Sequence, residues 1–208
     1  MSLYVQYGCG LSAPVGWQNF DASPTLRLQK IPLIGKLVRK VDFPSNVLYG
    51  DIVKGLPGIA PQGCDGVYCS HVLEHLSLED FRQALKNTLQ ILKPGGFFRC
   101  VLPDMEGCID TYIKERAAGD PNASLKFIND TMLGQYTRPR GLKENIMALA
   151  GNSHHLWMWD KYSLEKELTD AGFSTIRLCK FNDSTDQHFR QVEDESRFIG
   201  AVALEAVK

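Results

Sequence analysis

The sequence predicts an α/β fold, a mostly parallel β-sheet covered on both faces. Two observations carry the prediction. Short apolar runs alternate with stretches of helical periodicity along the chain. Several of those runs also end on glycine, aspartate or a small polar residue, at the positions where ligands bind in sheets of this kind.

Taken in order, Leu3–Tyr7 reads as a strand ending at Gly8, Trp17–Phe20 as one ending at Asp21, and Val47–Tyr49 as one ending at Gly50-Asp51. Gly66–Cys69 ends at Ser70-His71, and Phe97–Leu102 ends at Pro103-Asp104. The clearest helix spans 78–93. Leu78, Phe81, Leu85, Leu89 and Leu92 recur at three and four residues and form one apolar stripe. Ser77 with Asp80 reads as its capping box, and Pro94-Gly95-Gly96 as its stop. A later helix is expected after Ser163, carrying Leu164, Leu168 and Ala171, with Gly172 ending it and Phe173 folding back. Two strands close the chain near Thr175–Phe181 and Phe198–Ala206.

The chain has 208 residues, the size of one domain, and residues 1–208 are read as that domain with an insertion at about 105–160. Apolar residues make up 44% and charged residues 23%, which argues against disorder. A net charge of −1 supplies no field to recruit nucleic acid or a membrane. The six cysteines contain no CxxC pair and read as reduced, buried thiols. Residues 1–20 lack the basic start and apolar core of a signal peptide, and no run approaches the ~20 apolar residues that span a bilayer. A cytoplasmic location without membrane insertion is therefore expected.

The strand ends carry the candidate chemistry. Gly8-Cys9-Gly10 lets the backbone turn sharply and approach a ligand, but it lacks the third glycine of the dinucleotide fingerprint, which counts against a nicotinamide cofactor. Asp21 lies eleven residues after Gly10 and is placed to accept both hydroxyls of a ribose, or to shape the turn before Ser23-Pro24. Asp51 is read either as an acceptor for the amine of adenine, with Ile52 covering the ring, or as a turn cap. Only nine residues separate Tyr7 from Trp17, too few for a crossover helix, so a loop or single turn is expected there.

In order, YGCGLSAPVGWQNFDASP, GDI, CDGVYCSHVLEHLSLEDF and LQILKPGGFFRCVLPD make Tyr4 to Asp104 resemble class I methyltransferases dependent on S-adenosylmethionine (SAM), in particular a short group with this start. A weaker similarity continues at HHLWMWD and ELTDAGF. The resemblance implies a Rossmann-like three-layer sandwich with a seven-stranded sheet and an antiparallel last strand. It also implies SAM as cofactor, bound by Gly8, Cys9, Gly10, Asp21, Asp51, Ile52 and Ser70. The sequence departs from the class at Gln6, where most members carry an acidic residue.

His71-Val72-Leu73-Glu74-His75 also matches the HxxEH pattern of zinc peptidases. Its place between a buried strand and the Ser77 cap favours a strand-to-helix turn, so no metal is expected. On this reading His71 lies near the reacting methyl, and Glu74 and His75 brace the turn. His154 and His155 follow the insertion, and His155 is a candidate to reach the site beside Trp157 and Trp159. Asp104 either orients a nucleophile or caps the next helix. Arg138 and Arg140 near Tyr136 read as an anion contact or as solvated loop charges. The stretch holding Arg27, Lys30, Lys36, Arg39 and Lys40 reads as the basic face of a helix on the sheet, or as a contact for a membrane surface or an anionic partner.

The expected activity is methyl transfer from SAM to a small-molecule or sugar-containing acceptor, with His71, Asp104 and His155 as the catalytic candidates. A non-catalytic SAM-binding partner protein and a zinc hydrolase are the rivals. The sequence points to no nucleic-acid partner and leaves the oligomeric state open.

Overall fold

The computed structural model describes residues 2–29, 42–135, 141 and 154–208. Lys30, Lys36, Arg39 and Lys40 of the basic stretch, and Tyr136, Arg138 and Arg140, lie outside the described residues. The elements run β1 (Tyr4–Tyr7), β2 (Trp17–Asp21), α1 (Pro24–Gln29), β3 (Val47–Tyr49), β4 (Cys64–Ser70), α2 (Leu78–Ile91) and β5 (Leu92–Pro103). They continue with α3 (Met105–Ala117), α4 (Ala123–Asp130), α5 (Lys161–Ala171), β6 (Ser174–Leu178) and β7 (Ala201–Val207).

The seven strands form one sheet in the order β3-β2-β1-β4-β5-β7-β6. The first five are parallel, and β7 runs antiparallel between β5 and β6. Strand order reverses between β1 and β4, which pair with Tyr7 opposite Cys69. The crevice at such a reversal, beyond the carboxyl ends of the strands, is where open α/β sheets bind ligands. Gly8 and Ser70 stand at that point.

Side chains alternate across the pleat. On one face Val5, Tyr7, Val67, Cys69, Phe98 and Cys100 meet Phe81 and Leu85 of α2 and Leu164 and Leu168 of α5. On the other, Tyr4, Trp17, Tyr68 and Val101 pack with Phe189 and Val192. Part of that face is closed by the short 3₁₀ turn Gln187–Gln191, which the sequence did not suggest. No helix bridges β1 and β2, in line with the nine-residue gap. All six cysteines are free, and all but Cys108 are buried.

Three boundaries differ from expectation for local reasons. Helix α2 stops at Ile91 and β5 starts at once, because Pro94 forces its predecessor extended and Leu92 already pairs with Cys64. Helix α5 begins at Lys161, ahead of Ser163. Asp160 is its cap, and Ser163 returns its hydroxyl oxygen to the Asp160 N–H to complete a capping box. Residues before Gly200 form a 3₁₀ turn, so β7 begins at Ala201, after Phe198. The Ser77 cap and the left-handed Gly172 stop stand where the sequence put them. No helix among the described residues is long and apolar enough to cross a membrane.

Candidate active site

The turn after β1 depends on two glycines in the left-handed region, Gly8 at φ 65° and Gly10 at φ 55°. A Cβ on Gly8 would stand 2.1 Å from Val72 Cγ2, whereas one on Gly10 would meet nothing within 4 Å. Gly8 therefore lets β1 pack against the turn after β4, and Gly10 leaves open space above the backbone.

Asp21 ends β2, is buried, and faces this turn. Its Oδ2 accepts the Gly10 N–H at 3.0 Å, and its Oδ1 accepts the Ser23 N–H at 2.8 Å. The two readings of Asp21 are therefore compatible. An ionised carboxylate offers about four lone-pair positions. With one donor on each oxygen, one acceptor position per oxygen is left for the two hydroxyls of a ribose. Ser70 Oγ is buried with no hydrogen-bond partner among the described residues. Open space over Gly10, spare acceptor positions on Asp21 and an orphaned hydroxyl at the crevice fit an adenosine-bearing cofactor.

Gln6 is buried and committed. Its Nε2 donates to Ser12 O at 2.7 Å and to Asn19 Oδ1 at 2.5 Å, so it braces the glycine loop from below. Burial, and then the neighbouring Asp21, push the Cys9 thiol up to about 12, which makes it a poor nucleophile at neutral pH. Asp51 closes its own turn. Its Oδ1 accepts the Val53 N–H at 3.1 Å and its Oδ2 lies 3.1 Å from Lys54 Nζ, while Ile52 is buried in the main core.

His71 follows β4 with a left-handed φ of 53°, a conformation that costs a non-glycine residue energy and gathers at functional sites. Through the 3₁₀ turn Leu73–His75 the chain then enters α2. The HxxEH segment is thus a strand-to-helix turn, and its histidines do not share the face of an α-helix as in the peptidase pattern.

Its Glu74 is buried. Around Glu74 Oε1 stand His71 Nδ1 at 3.6 Å, His75 Nε2 at 3.9 Å and His155 Nε2 at 3.9 Å. Leu156 N and Trp157 N donate to the Glu74 carbonyl at 2.7 and 3.1 Å, and these bonds hold His155 against the turn. Burial pushes the Glu74 carboxyl up to about 7 and lowers the His71 and His155 imidazoles. Sequence reasoning had separated His155 from Glu74 and His75. The adjacent histidines after a long insertion were the available signal.

Asp104 caps α3, with its Oδ1 accepting from Glu106 N at 3.1 Å and its Oδ2 from Gly107 N at 3.3 Å. Both oxygens hold the helix, and, as in Asp21, one donor on each leaves one acceptor position per oxygen. Trp159 is core, stacked on Phe81 at 4.2 Å, and Trp157 is partly exposed. Beside the histidines lies a cleft of about 420 Å³ lined by Leu125, Ile128, Asn129, Met132, Gly134, Gln135 and His154.

A seven-stranded sheet of this order, with one antiparallel strand and a glycine turn at the reversal, defines a Rossmann-like binding fold. The methyltransferase domain family matches residues 18–178. The chain belongs to that family and is, by fold and family, a class I methyltransferase, the class that takes its methyl group from SAM.

No curated protein matches the chain. Three solved structures illustrate the fold. A SAM-dependent methyltransferase of Thermotoga maritima, described as a possible histamine N-methyltransferase, is 15% identical with a TM-score of 0.52, covering 100% of this chain and 83% of that one. One from Archaeoglobus fulgidus is 16% identical at 0.52, covering 100% and 86%. A methyltransferase of Haloferax volcanii, solved with the Trm112 methyltransferase activator, is 16% identical at 0.50, covering 99% and 82%. At these identities the likeness concerns the fold alone.

Proposed function

We propose that this protein moves the methyl group of SAM to a small-molecule or sugar-containing acceptor by in-line displacement. The observation that carries the reading is Asp21. It is a buried carboxylate at the tip of β2 that already grips the glycine turn and keeps an acceptor position on each oxygen. When bound, SAM supplies a methyl on a positively charged sulfur, a good leaving group, so the chain's task is alignment. Positioning of this kind contributes ~7–11 kcal/mol toward the barrier.

In this reading Gly8, Cys9 and Gly10 approach the donor through their backbone, and Ser70 offers its unpaired hydroxyl. Asp51 and Ile52 border the base. His71 lies nearest the reacting methyl, with His155 on the acceptor side where the cleft opens. The catalytic part we give Asp104 is indirect, fixing the end of β5.

A second reading is a SAM-binding protein without catalysis that works as a partner subunit. It is favoured by Gln6, which adds no charge to hold the donor's ammonium group and is already spent on Ser12 and Asn19. Incubation with SAM labelled in its methyl group and a panel of hydroxyl, amine, carboxylate and thiol acceptors separates the two. Labelled product together with S-adenosylhomocysteine (SAH) is expected. SAH binding with no turnover on any acceptor would favour the partner reading.

A further inference from the structure

The histidines around Glu74 present an electrostatic problem that the fold leaves unsolved. His75 Nδ1 lies 3.0 Å from the carbonyl oxygen of His154, and His71 Nε2 lies 2.9 Å from that of Arg197. A carbonyl only accepts, so in each neutral ring the proton sits on that nitrogen. The opposite nitrogen, a bare lone pair, is turned toward Glu74. His155 adds its Nε2 on the third side.

The carboxylate therefore faces acceptors. Both of its oxygens, and His155 Nδ1, are buried without a hydrogen-bond partner among the described residues. Separations of 3.6 to 3.9 Å are too long for hydrogen bonds. They are the spacing of donors that share one ion, each about 2.0–2.2 Å from it. The donor atoms of Glu74, His75 and His155 all lie within 4.8 Å of one another.

We propose that Glu74, His75 and His155 hold a divalent first-row transition cation. Two imidazoles with one carboxylate suit zinc or iron, and disfavour magnesium and calcium, which take oxygen ligands. The carbonyl of His154 acts as the outer partner that fixes the orientation and tautomer of the His75 ring. The site sits between the turn after β4 and the cleft that His154 lines, on the side assigned to the acceptor. A cation there polarises an acceptor oxygen as a Lewis acid. That role, unlike the binding itself, rests on the methyltransferase reading.

The test uses the full chain, stripped with a chelator and titrated with Zn²⁺ or with Co²⁺, whose visible absorption reports imidazole ligation. The wild type is expected to take up about one equivalent. His155→Ala and Glu74→Gln are each expected to weaken binding by about a hundredfold or more, and His75→Ala likewise. Circular dichroism monitors the fold, and His155→Ala decides the matter should a turn variant unfold. SAH affinity is expected to persist in the metal-site variants, and Asp21→Ala is expected to keep the metal, so each reading fails on its own measurement. A wild type that binds neither ion at micromolar concentration, or a folded His155→Ala that binds it as the wild type does, overturns the proposal.

Discussion

Gly8→Ala is expected to reduce SAH affinity by at least about tenfold, equivalent to about 1.4 kcal/mol. Two costs act together. A non-glycine residue at φ 65° sacrifices about 1–2 kcal/mol. The new methyl would also stand 2.1 Å from Val72 Cγ2 and 3.2 Å from Val72 Cβ. Valine is stiff at χ1 and cannot swing clear, so either the tip of β1 or the turn after β4 must move. Those are the two walls of the crevice. Gly8→Ala with Val72→Ala removes the 2.1 Å contact but keeps the 3.2 Å approach to Cβ and the backbone cost, and should recover part of the affinity in calorimetric titration. Unchanged affinity in a folded Gly8→Ala would separate the glycine turn from donor binding.

The largest expected loss of stability is at Arg99. Its side chain is fully buried within β5. Its Nε donates to Glu193 Oε1 at 2.6 Å, and its other nitrogens reach Glu205 Oε2 at 2.8 Å, Asp183 Oδ1 at 3.1 Å and Lys180 O at 3.1 Å. Arg99→Met keeps bulk but strands Glu193 beside Asp183 and Glu205. Removing one partner of a buried ion pair costs about 3–5 kcal/mol, a large share of a domain's 5–15 kcal/mol. Urea unfolding is expected to show that loss, with partial recovery in Arg99→Met with Glu193→Gln. Glu205 is cushioned by Arg177 and by the Ser184 hydroxyl, which donates at 2.7 Å, so Glu193 is the group whose neutralisation matters. A loss below about 1 kcal/mol would mean the carboxylates find other partners.

What the sequence reveals about this protein follows the range of the interactions. Strand positions, the Ser77 cap and the Gly172 stop depend on neighbours a few residues away, and all were legible. So were Gly8, Gly10 and Asp21 as a group, since a short turn and an acidic strand end are written locally. The start of α5 was missed by three residues because Asp160 and Ser163 both suit a cap, and only the reciprocal bonds distinguish cap from third position. Arg99 gave no signal, because it sits in a run that reads as buried strand and its partners lie 81 to 106 residues away. The same distance effect hid the meeting of His155 with Glu74, since HVLEH read alone suggests only a braced turn. The closing of one sheet face by Phe189 was hidden because a single 3₁₀ turn carries no periodicity.

The proposed function depends on a ribose being held by the carboxylate that ends the second strand. Titration of SAH into Asp21→Ala, followed calorimetrically beside the wild type, addresses it most directly. Affinity is expected to be lower by about tenfold or more, from at least one lost charge-assisted hydrogen bond of ~1.5–3 kcal/mol. A folded Asp21→Ala that binds SAH as tightly as the wild type would contradict it.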